Sequence, residues 1–342
     1  MRRRIFLFLF IFLILGGSAI AYFGYGMVMA SNFKGEPIAF VVKEETTVDD
    51  IVHELGNGLI DPETFKTWAD MRNLESSLKI GRYEFREGMS NRQMVNYLKA
   101  GLQAPHRIQF HNVKNFQELA EELALDMDQD SVDYYEVLVD DSFWEHRDVL
   151  DKNARWAYII PNTYEIYYTN TPREVLDRLV EERNRFWNEE RRAQAEELGL
   201  TPVEVSILAS IVSGETYMVD EMPTVAGLYL NRLERGIRLQ CDATSKFAWE
   251  MEHPEDRPVR TVLNPMVEFI HPYNTYTFEG LPPGPISIPE IQAIEAVLDY
   301  EEHDYLFMMV DPDRVGYHKF ARTNAEHERN VNYYRRVRAS RR

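Results

Sequence analysis

The sequence of 342 residues is long enough for two or more domains, and it is strongly acidic. It has 38 lysine and arginine residues against 56 aspartate and glutamate residues, a net charge of −18 at pH 7, so we expect no nucleic-acid partner. A single cysteine excludes an intrachain disulfide, and the nine histidines lack the spacing of a zinc site. We therefore expect no metal and no cofactor.

The first 30 residues are the most apolar part of the chain. Arg2, Arg3 and Arg4 precede 26 residues, 5–30, that carry no charge. This run exceeds the roughly 20 residues that a helix needs to cross a bilayer. A cleaved signal peptide has the same layout but an apolar region of only roughly 7–15 residues, so we favour an uncleaved anchor. The positive-inside rule then predicts a single-pass protein of the bacterial inner (cytoplasmic) membrane. Residues 1–30 would form its cytoplasmic tip and transmembrane helix, with the remainder in the periplasm or cell exterior.

Residues 38–125 contain a faint repeat of a strand, a polar turn, a helix and a glycine stop. Thr47 is placed to cap the helix of the first copy, and Ser90 takes the same place in the second copy. A third, partial copy has a strand at Ile108 and a helix that begins near Phe116. We interpret this region as a small α+β module; the alternative is a chance recurrence of strand–helix units.

Residues 126–342 are predicted to form a larger mixed α/β domain, which makes the whole chain α+β in class. A polar helix is predicted from 172 to about 198. Thr201 then caps a second, apolar helix, with Pro202 at its first position and Glu204 completing a capping box. Glu204 is therefore interpreted as a capping residue.

Glu215 lies at the end of that apolar helix. Leu208, Ile211, Val212 and Glu215 are spaced at i, i+3, i+4 and i+7, so the acid continues the apolar stripe. A carboxyl group on such a face loses water, which disfavours its charged form and raises its pKa. A glutamic acid with a raised pKa can act as a general acid near neutral pH. The alternative is a helix-end glutamate that turns outward to solvent.

The remaining segments alternate between regular and irregular patterns. Residues 237–242 alternate like a strand, and 280–286 hold three prolines within four positions, which predicts a stiff loop. Such a loop suits a binding wall or a rigid connector. A helix is predicted at 289–298, followed by strands at 305–310 and 317–320 joined by a turn.

Seven short motifs occur in a fixed order along the chain. They are Ile160-Pro161-Asn162-Thr163-Tyr164, Ala209-Ser210-Ile211-Val212 with Glu215, Asn231-Arg232-Leu233, Leu239-Gln240-x-Asp242, Tyr273-Asn274-Thr275-Tyr276, Gly280-Leu281-Pro282-Pro283-Gly284-Pro285-Ile286 and His318-x-Phe320. In this order they resemble the YceG-like endolytic murein transglycosylases (the MltG family). The anchor fits this resemblance, and the region 38–125 resembles the LysM-like module of the family. Two departures stand out: Ser213 occupies a position where many members carry a second glutamate, and Asn162 replaces the commoner aspartate.

The resemblance implies a membrane-anchored lytic transglycosylase acting on peptidoglycan glycan strands. It implies cleavage of the β-1,4 bond between N-acetylmuramic acid and N-acetylglucosamine without water, leaving 1,6-anhydromuramic acid ends and terminating strand elongation. Glu215 would first protonate the leaving oxygen and then accept the proton of the muramic acid C6 hydroxyl. Penicillin-binding protein synthases are the implied protein partners. The implied substrate-binding residues are Gln240, Asp242, Asn274, Thr275, Tyr276, Pro283, Gly284 and His318.

Two other functions stay open at this point. The first is a non-catalytic peptidoglycan-binding scaffold for cell-wall synthases, which the loss of glutamate at Ser213 favours. The second is a two-carboxylate hydrolase in which Asp242 assists water, although we prefer to interpret Asp242 as a hydrogen-bonding member of the cleft. His318 is expected to contact the substrate or the acid, or to be a structural residue.

Overall fold

The computed structural model describes residues 10–11, 14–18, 22, 24–111 and 113–341, and the chain divides into two compact units. Unit 1 comprises Met1–Arg107, Asp126–Asp128 and Glu165–Asn170, and unit 2 comprises Ile108–Leu125, Gln129–Tyr164 and Thr171–Arg342. Both contain helices and antiparallel strand pairs, so the predicted α+β class is confirmed.

Within the described residues from 38 onward, unit 1 is built around one antiparallel strand pair and three helices, two of which lie between the strands in sequence. Its elements are β1 (Ile38–Val42), α1 (Val48–Leu55), α2 (Pro62–Met71), β2 (Gly81–Phe85) and α3 (Asn91–Ala100). β1 and β2 pair antiparallel, and their inward side chains share an apolar core with the three helices. The two predicted caps are confirmed, because Thr47 and Ser90 each accept a hydrogen bond from the third helical residue within a capping box.

The boundary between the units passes through two paired strands, β3 (His106–Gln109) and β4 (Thr163–Ile166). The predicted strand at Ile108 and the helix at Phe116 are both present, and that helix belongs to unit 2. The division at residue 125 between a LysM-like module and a catalytic domain stays a prediction.

Unit 2 holds the larger core. Its further elements are α4 (Phe116–Ala124), α5 (Ser131–Val139), α6 (Asp141–Glu145), α7 (Pro172–Phe186), α8 (Glu189–Glu197), α9 (Pro202–Glu215), α10 (Met222–Glu234), α11 (Asp242–Glu252), α12 (Asn264–Glu268), α13 (Ile291–Leu298), β5 (Phe307–Val310), β6 (His318–Ala321) and α14 (Asn324–Ser340). Helix α9 is central, because residues 205–212 are all buried and α10, α11 and α13 pack against it. The predicted Thr201–Glu204 capping box starts this helix, and the predicted β5–β6 pair is antiparallel.

Two predicted elements of unit 2 are wrong. The polar helix 172–198 is broken after Phe186, because Trp187 turns into the core and Asn188 caps the next helix through the N–H of Arg191. The segment 237–242 forms no strand. Gln240 adopts a left-handed backbone with φ of 53°, and Asp242 already begins α11.

Within the part of the chain that the structure describes, no single helix is both long and apolar enough to cross a membrane. One bent pair, Glu189–Glu197 with Pro202–Glu215 at 77°, meets the test by length and composition only. The predicted anchor at residues 1–30 lies partly outside the described residues, which omit 1–9, 12, 13, 19–21 and 23.

Candidate active site

A pocket of about 220 Å³ lies in unit 2 at the C-terminal end of α9. Helices α9 and α10, the 239–242 segment and the β5–β6 pair contribute its walls. Five of the nine site residues proposed from the sequence line it, and these are Glu215, Gln240, Asp242, Tyr276 and His318. Residues separated by more than one hundred positions therefore share one cavity.

Glu215 is the last residue of α9 and lies between the core and the pocket. Part of its side chain remains open to the pocket, but the protein surrounds it closely enough that burial raises the pKa of its carboxyl group. Hydrogen bonding with the Cys241 thiol lowers this pKa, the negative charge of Asp242 raises it, and the Tyr229 hydroxyl lowers it, with burial outweighing the rest. The alternative of a solvent-facing helix-end glutamate does not fit this position.

The groups next to Glu215 are protonated donors that sequence analysis did not identify. Tyr229 and Cys241 are fully buried, and burial raises the pKa of the phenol and of the thiol well above their usual values. Both therefore keep their protons at neutral pH and can donate to a glutamate oxygen. Tyr229 lies on an apolar stripe of α10 with Val225 and Leu228, so helix periodicity alone indicates a core residue.

Asp242 contributes a second carboxylate to the pocket. It stands at the start of α11 and is exposed, and its Oδ1 accepts a hydrogen bond of 2.7 Å from the Tyr276 hydroxyl. Burial and this bond to Asp242 raise the pKa of Tyr276, so the phenol stays protonated as the donor. The charge of Asp242 favours the protonated form of Glu215, which gives the two acids different roles.

Asn274 and Thr275, which the resemblance implies as substrate contacts, lie behind the pocket wall and are not among its lining residues. Both are buried, and the Asn274 amide donates to the backbone carbonyls of Met266, Val267 and Phe269 at 2.7–3.1 Å. The Thr275 hydroxyl accepts from the backbone N–H of Cys241 at 3.0 Å. These side chains hold the loop in place, because their polar atoms are already used by the protein.

Pro283 and Gly284 also differ from expectation, because neither belongs to the described residues that line this pocket. Pro283 is exposed, while Gly284 packs so closely that an added Cβ would lie 2.2 Å from the Asn153 carbonyl oxygen. The proline-rich loop thus acts here as a rigid connector seated on the 3₁₀ segment Lys152–Tyr158.

His318 is held by Glu221, a residue that the sequence analysis missed. Glu221 is 5% exposed; its Oε2 lies 2.9 Å from His318 Nδ1, and its Oε1 accepts the His318 backbone N–H at 2.6 Å. Because Nδ1 contacts Glu221, Nε2 is the ring nitrogen that can form a hydrogen bond with a ligand in the pocket. The sequence around Glu221 is typical of an exposed acidic turn before α10, so nothing in the neighbouring residues predicts that Glu221 is buried.

No group of three or more histidine, cysteine or acidic side chains is arranged to hold a metal ion within the described ranges.

Comparison with known proteins places this chain in a family. The sequence model of the YceG-like family matches residues 40–333. The chain belongs to the YceG-like family. Its relatives include the endolytic murein transglycosylases of two Streptococcus pneumoniae strains, D39 and R6, each 26% identical over 359 aligned residues covering 92% of this chain and 62% of theirs. The endolytic murein transglycosylase of Bacillus subtilis is 28% identical over 53% of this chain and 49% of its own length.

A crystal structure of a YceG-like protein from Listeria monocytogenes is similar in fold. It has a TM-score of 0.58 and 23% identity, and the match covers 86% of this chain and 98% of the other. The resemblance inferred from the motifs is thus confirmed for the family and the fold. This YceG-like chain spans 62% of the length of its Streptococcus relatives.

Two further motifs of this YceG-like chain make hydrogen bonds to the backbone, and Arg232 of the first also lines the Glu215 pocket. Asn231 donates its side-chain amide to the backbone carbonyls of His303 and Tyr305, and Arg232 donates from Nε to the Leu306 carbonyl at 2.6 Å. These bonds tie α10 to the segment that leads into β5, and β5 pairs with the strand that carries His318. Asn162 accepts from the N–H of Thr163 at 2.8 Å, as expected of a structural element.

Proposed function

We propose that this protein cleaves the β-1,4 bond between N-acetylmuramic acid and N-acetylglucosamine in peptidoglycan glycan strands, as an endolytic lytic transglycosylase. The observation that carries the proposal is Glu215, a carboxyl group whose pKa burial raises and which faces a pocket with Asp242 and His318. The relatives described above are named endolytic murein transglycosylases, which agrees with this chemistry.

The proposed reaction uses Glu215 twice. The protonated acid gives its proton to the glycosidic oxygen, and the bond from that oxygen to muramic C1 breaks through an oxocarbenium-like transition state. The resulting carboxylate then accepts the proton of the muramic C6 hydroxyl while that oxygen bonds to C1. The products are a free 4-hydroxyl on N-acetylglucosamine and a 1,6-anhydro ring, and Glu215 is protonated again without consumption of water.

The other polar groups in and beside the pocket also contribute to the proposed reaction. The Asp242 charge favours the protonated acid before reaction, and it stabilises the positive charge that develops at C1. Tyr229 and Cys241 can donate to the Glu215 carboxylate after it has lost its proton, which stabilises the intermediate stage. Gln240 and His318 Nε2 supply hydrogen-bonding groups for orientation of the sugar.

A second function, hydrolysis by two carboxylates, is favoured by one observation. Asp242 lines the same pocket as Glu215, so a water molecule between Asp242 and the sugar could attack C1 in place of the C6 hydroxyl. The two reactions leave different ends on the glycan, which differ in mass by one water molecule.

Digestion of purified murein by the full-length protein, followed by mass analysis of the new ends, tests the proposal. We expect 1,6-anhydromuramic acid ends and their loss with Glu215→Gln. Reducing ends in place of anhydro ends would establish the hydrolase. Intact strands that nevertheless bind the protein would support the non-catalytic scaffold.

We also propose that residues 1–30 anchor the protein in the inner membrane, with residues 38–342 on the outer side. The support is the uncharged run 5–30 behind three arginines. Protease treatment of spheroplasts should digest the C-terminal part from outside, and alkaline carbonate should leave the protein in the membrane fraction. Release by carbonate would contradict the anchor.

The LysM-like nature of residues 38–125, termination of nascent strands and partnership with penicillin-binding protein synthases belong to the same proposal. The capped strand–helix repeat of unit 1 supports the first of these. Affinity of full-length protein for glycan should fall when residues 38–104, all within unit 1, are deleted, and glycan strands should lengthen in cells that lack the protein. Co-purification of synthases with the membrane-extracted protein tests the partnership.

A further inference from the structure

A second pocket, of about 270 Å³, adjoins the candidate active site within unit 2. Its walls include Ser213 and Gly214, which directly precede Glu215, and Ala243, which directly follows Asp242. Gly214 touches α11 so closely that an added Cβ would lie 2.8 Å from the Ala243 Cβ. The end of α9 and the start of α11 therefore form a shared wall between the two pockets, which we name the lysine pocket and the Glu215 pocket.

The lysine pocket is positively charged in an acidic protein. Lys114 and Lys246 line it, and neither side chain forms an ion pair with a carboxylate among the described residues. Glu250 also lines it, with its Oε1 accepting the backbone N–H of Val259 at 2.7 Å, so the three charged groups leave one net positive charge. Two unpaired ammonium groups beside one engaged carboxylate suit an anionic ligand.

Ser213 adds an unused polar group to the same wall. Its hydroxyl oxygen is buried and has no hydrogen-bond partner, which is uncommon for a buried side-chain oxygen. A rotation about its first side-chain torsion would let the hydroxyl donate to a ligand oxygen in the lysine pocket. Tyr217, with 81% of its surface exposed, stands at the same pocket and offers an aromatic face.

We propose that the lysine pocket binds a carboxylate of the acidic peptide attached to the muramic acid residues of the substrate glycan. This inference rests on the proposed function. Each stem peptide hangs from a muramic acid, so a strand whose muramic acid lies beside Glu215 carries a peptide within reach of an adjoining pocket. The two lysine ammonium groups would bind the carboxylate, and Ser213 would add a hydrogen bond. The protein thereby selects strands that still carry peptides over bare glycan.

Binding measurements with the full-length protein carrying Glu215→Gln, which prevents turnover, test this site. The probes are uncrosslinked murein glycan oligomers that carry stem peptides, and the same oligomers stripped of peptides by an amidase. Because partly exposed ion pairs and charge-assisted hydrogen bonds contribute modestly, we expect Lys246→Gln or Lys114→Gln to weaken binding of peptide-bearing oligomers by about threefold to tenfold. Binding of stripped oligomers should not change.

Three further variants sharpen the result. Lys246→Arg keeps the charge and should retain most of the preference for peptide-bearing oligomers. Ser213→Glu puts a carboxylate into the lysine pocket and should abolish the preference by repulsion. Lys152→Gln removes an exposed lysine of unit 2 that lies outside the lysine pocket, and it serves as the matched control with no expected change.

Equal affinity for peptide-bearing and stripped oligomers would overturn the inference, as would equal losses for both in the lysine variants. Cleavage by the protein with Glu215 intact is measured on the same oligomers. Absence of cleavage beside an intact peptide preference would refute the proposed function and leave the lysine pocket as a peptide-binding site. Cleavage without a peptide preference would refute the lysine pocket alone.

Discussion

The two units of this protein use polar side chains in opposite ways. In unit 1 polar residues such as Thr47 and Ser90 sit at helix starts, where they satisfy backbone N–H groups a few residues away, and the core beneath is apolar. In unit 2 Glu215, Tyr229 and Cys241 are held together near the core, although each costs free energy to bury. The polar groups of unit 1 thus stabilise helix starts, whereas the polar groups around Glu215 are buried at a cost in folding free energy.

The substitution Glu215→Gln in unit 2 is expected to have the largest effect, and the effect is on the rate of cleavage. The amide keeps the shape but has no proton to give, so cleavage of murein should fall by about 1,000-fold or more. Initial rates measured by release of soluble muropeptides check this. Glu204→Gln is the matched control on the same helix, because Glu204 only caps α9, and it should keep the cleavage rate. A fully active Glu215→Gln protein would refute the assignment.

Removal of the carboxylate behind His318 is expected to have a smaller effect. Glu221→Gln weakens the bonds that orient the imidazole, and a misplaced side chain costs up to about 100-fold in rate. Glu221→Asp should recover part of the rate, and Glu234→Gln, an exposed acid at the other end of α10, is the matched control. Full activity in Glu221→Gln would show that Glu221 has no positioning role.

The smallest effect is expected in unit 1. Thr47→Ala removes the side-chain acceptor of the α1 cap and should lower the free energy of unfolding by about 1 kcal/mol, without changing the rate of bond cleavage per bound strand. Urea unfolding followed by circular dichroism measures the loss. Thr67→Ala is the comparison, because that hydroxyl only donates back to the Glu63 carbonyl within α2. Equal losses in both variants would contradict the capping account.

The same contrast explains which features the sequence could predict. The caps at Thr47, Ser90 and Thr201 were predictable because their partners lie three residues away. The burial of Glu215 was foreseen from helix periodicity, since its position on α9 fixes the face on which it lies.

Features that depend on distant partners were not predictable. Glu221 looks solvent-exposed in the sequence and is buried only because β6 brings His318 against it. Gln240 lies in a segment that alternates like a strand, yet its left-handed backbone follows from the bond between its N–H and the Thr275 carbonyl. Asn274 was assigned to substrate through the family resemblance, whereas three backbone carbonyls five to eight residues earlier hold it inside. The burial of Glu221 and the backbone of Gln240 depend on contacts far away along the chain, and the burial of Asn274 depends on the irregular path of its own loop.

The protonation state of Glu215 also links the pocket to stability. Its pKa in the folded protein is raised above the ordinary value of 4.5, so the folded protein binds more protons than the unfolded chain between the two values. The stability that this group contributes is full below the unfolded pKa and is lost as the pH rises through the folded pKa. Glu215→Gln should remove this loss and make the protein more stable than the parent at high pH.

A pH titration of the Glu215 carboxyl group by infrared difference spectroscopy, with the spectrum of Glu215→Gln subtracted, measures whether this acid keeps its proton in the folded protein. We expect a protonated carboxyl band that persists well above pH 4.5 and disappears only as the pH rises through the raised pKa. Loss of the band with a midpoint near the ordinary glutamate value would refute Glu215 as the general acid, because it would then have no proton to give at neutral pH.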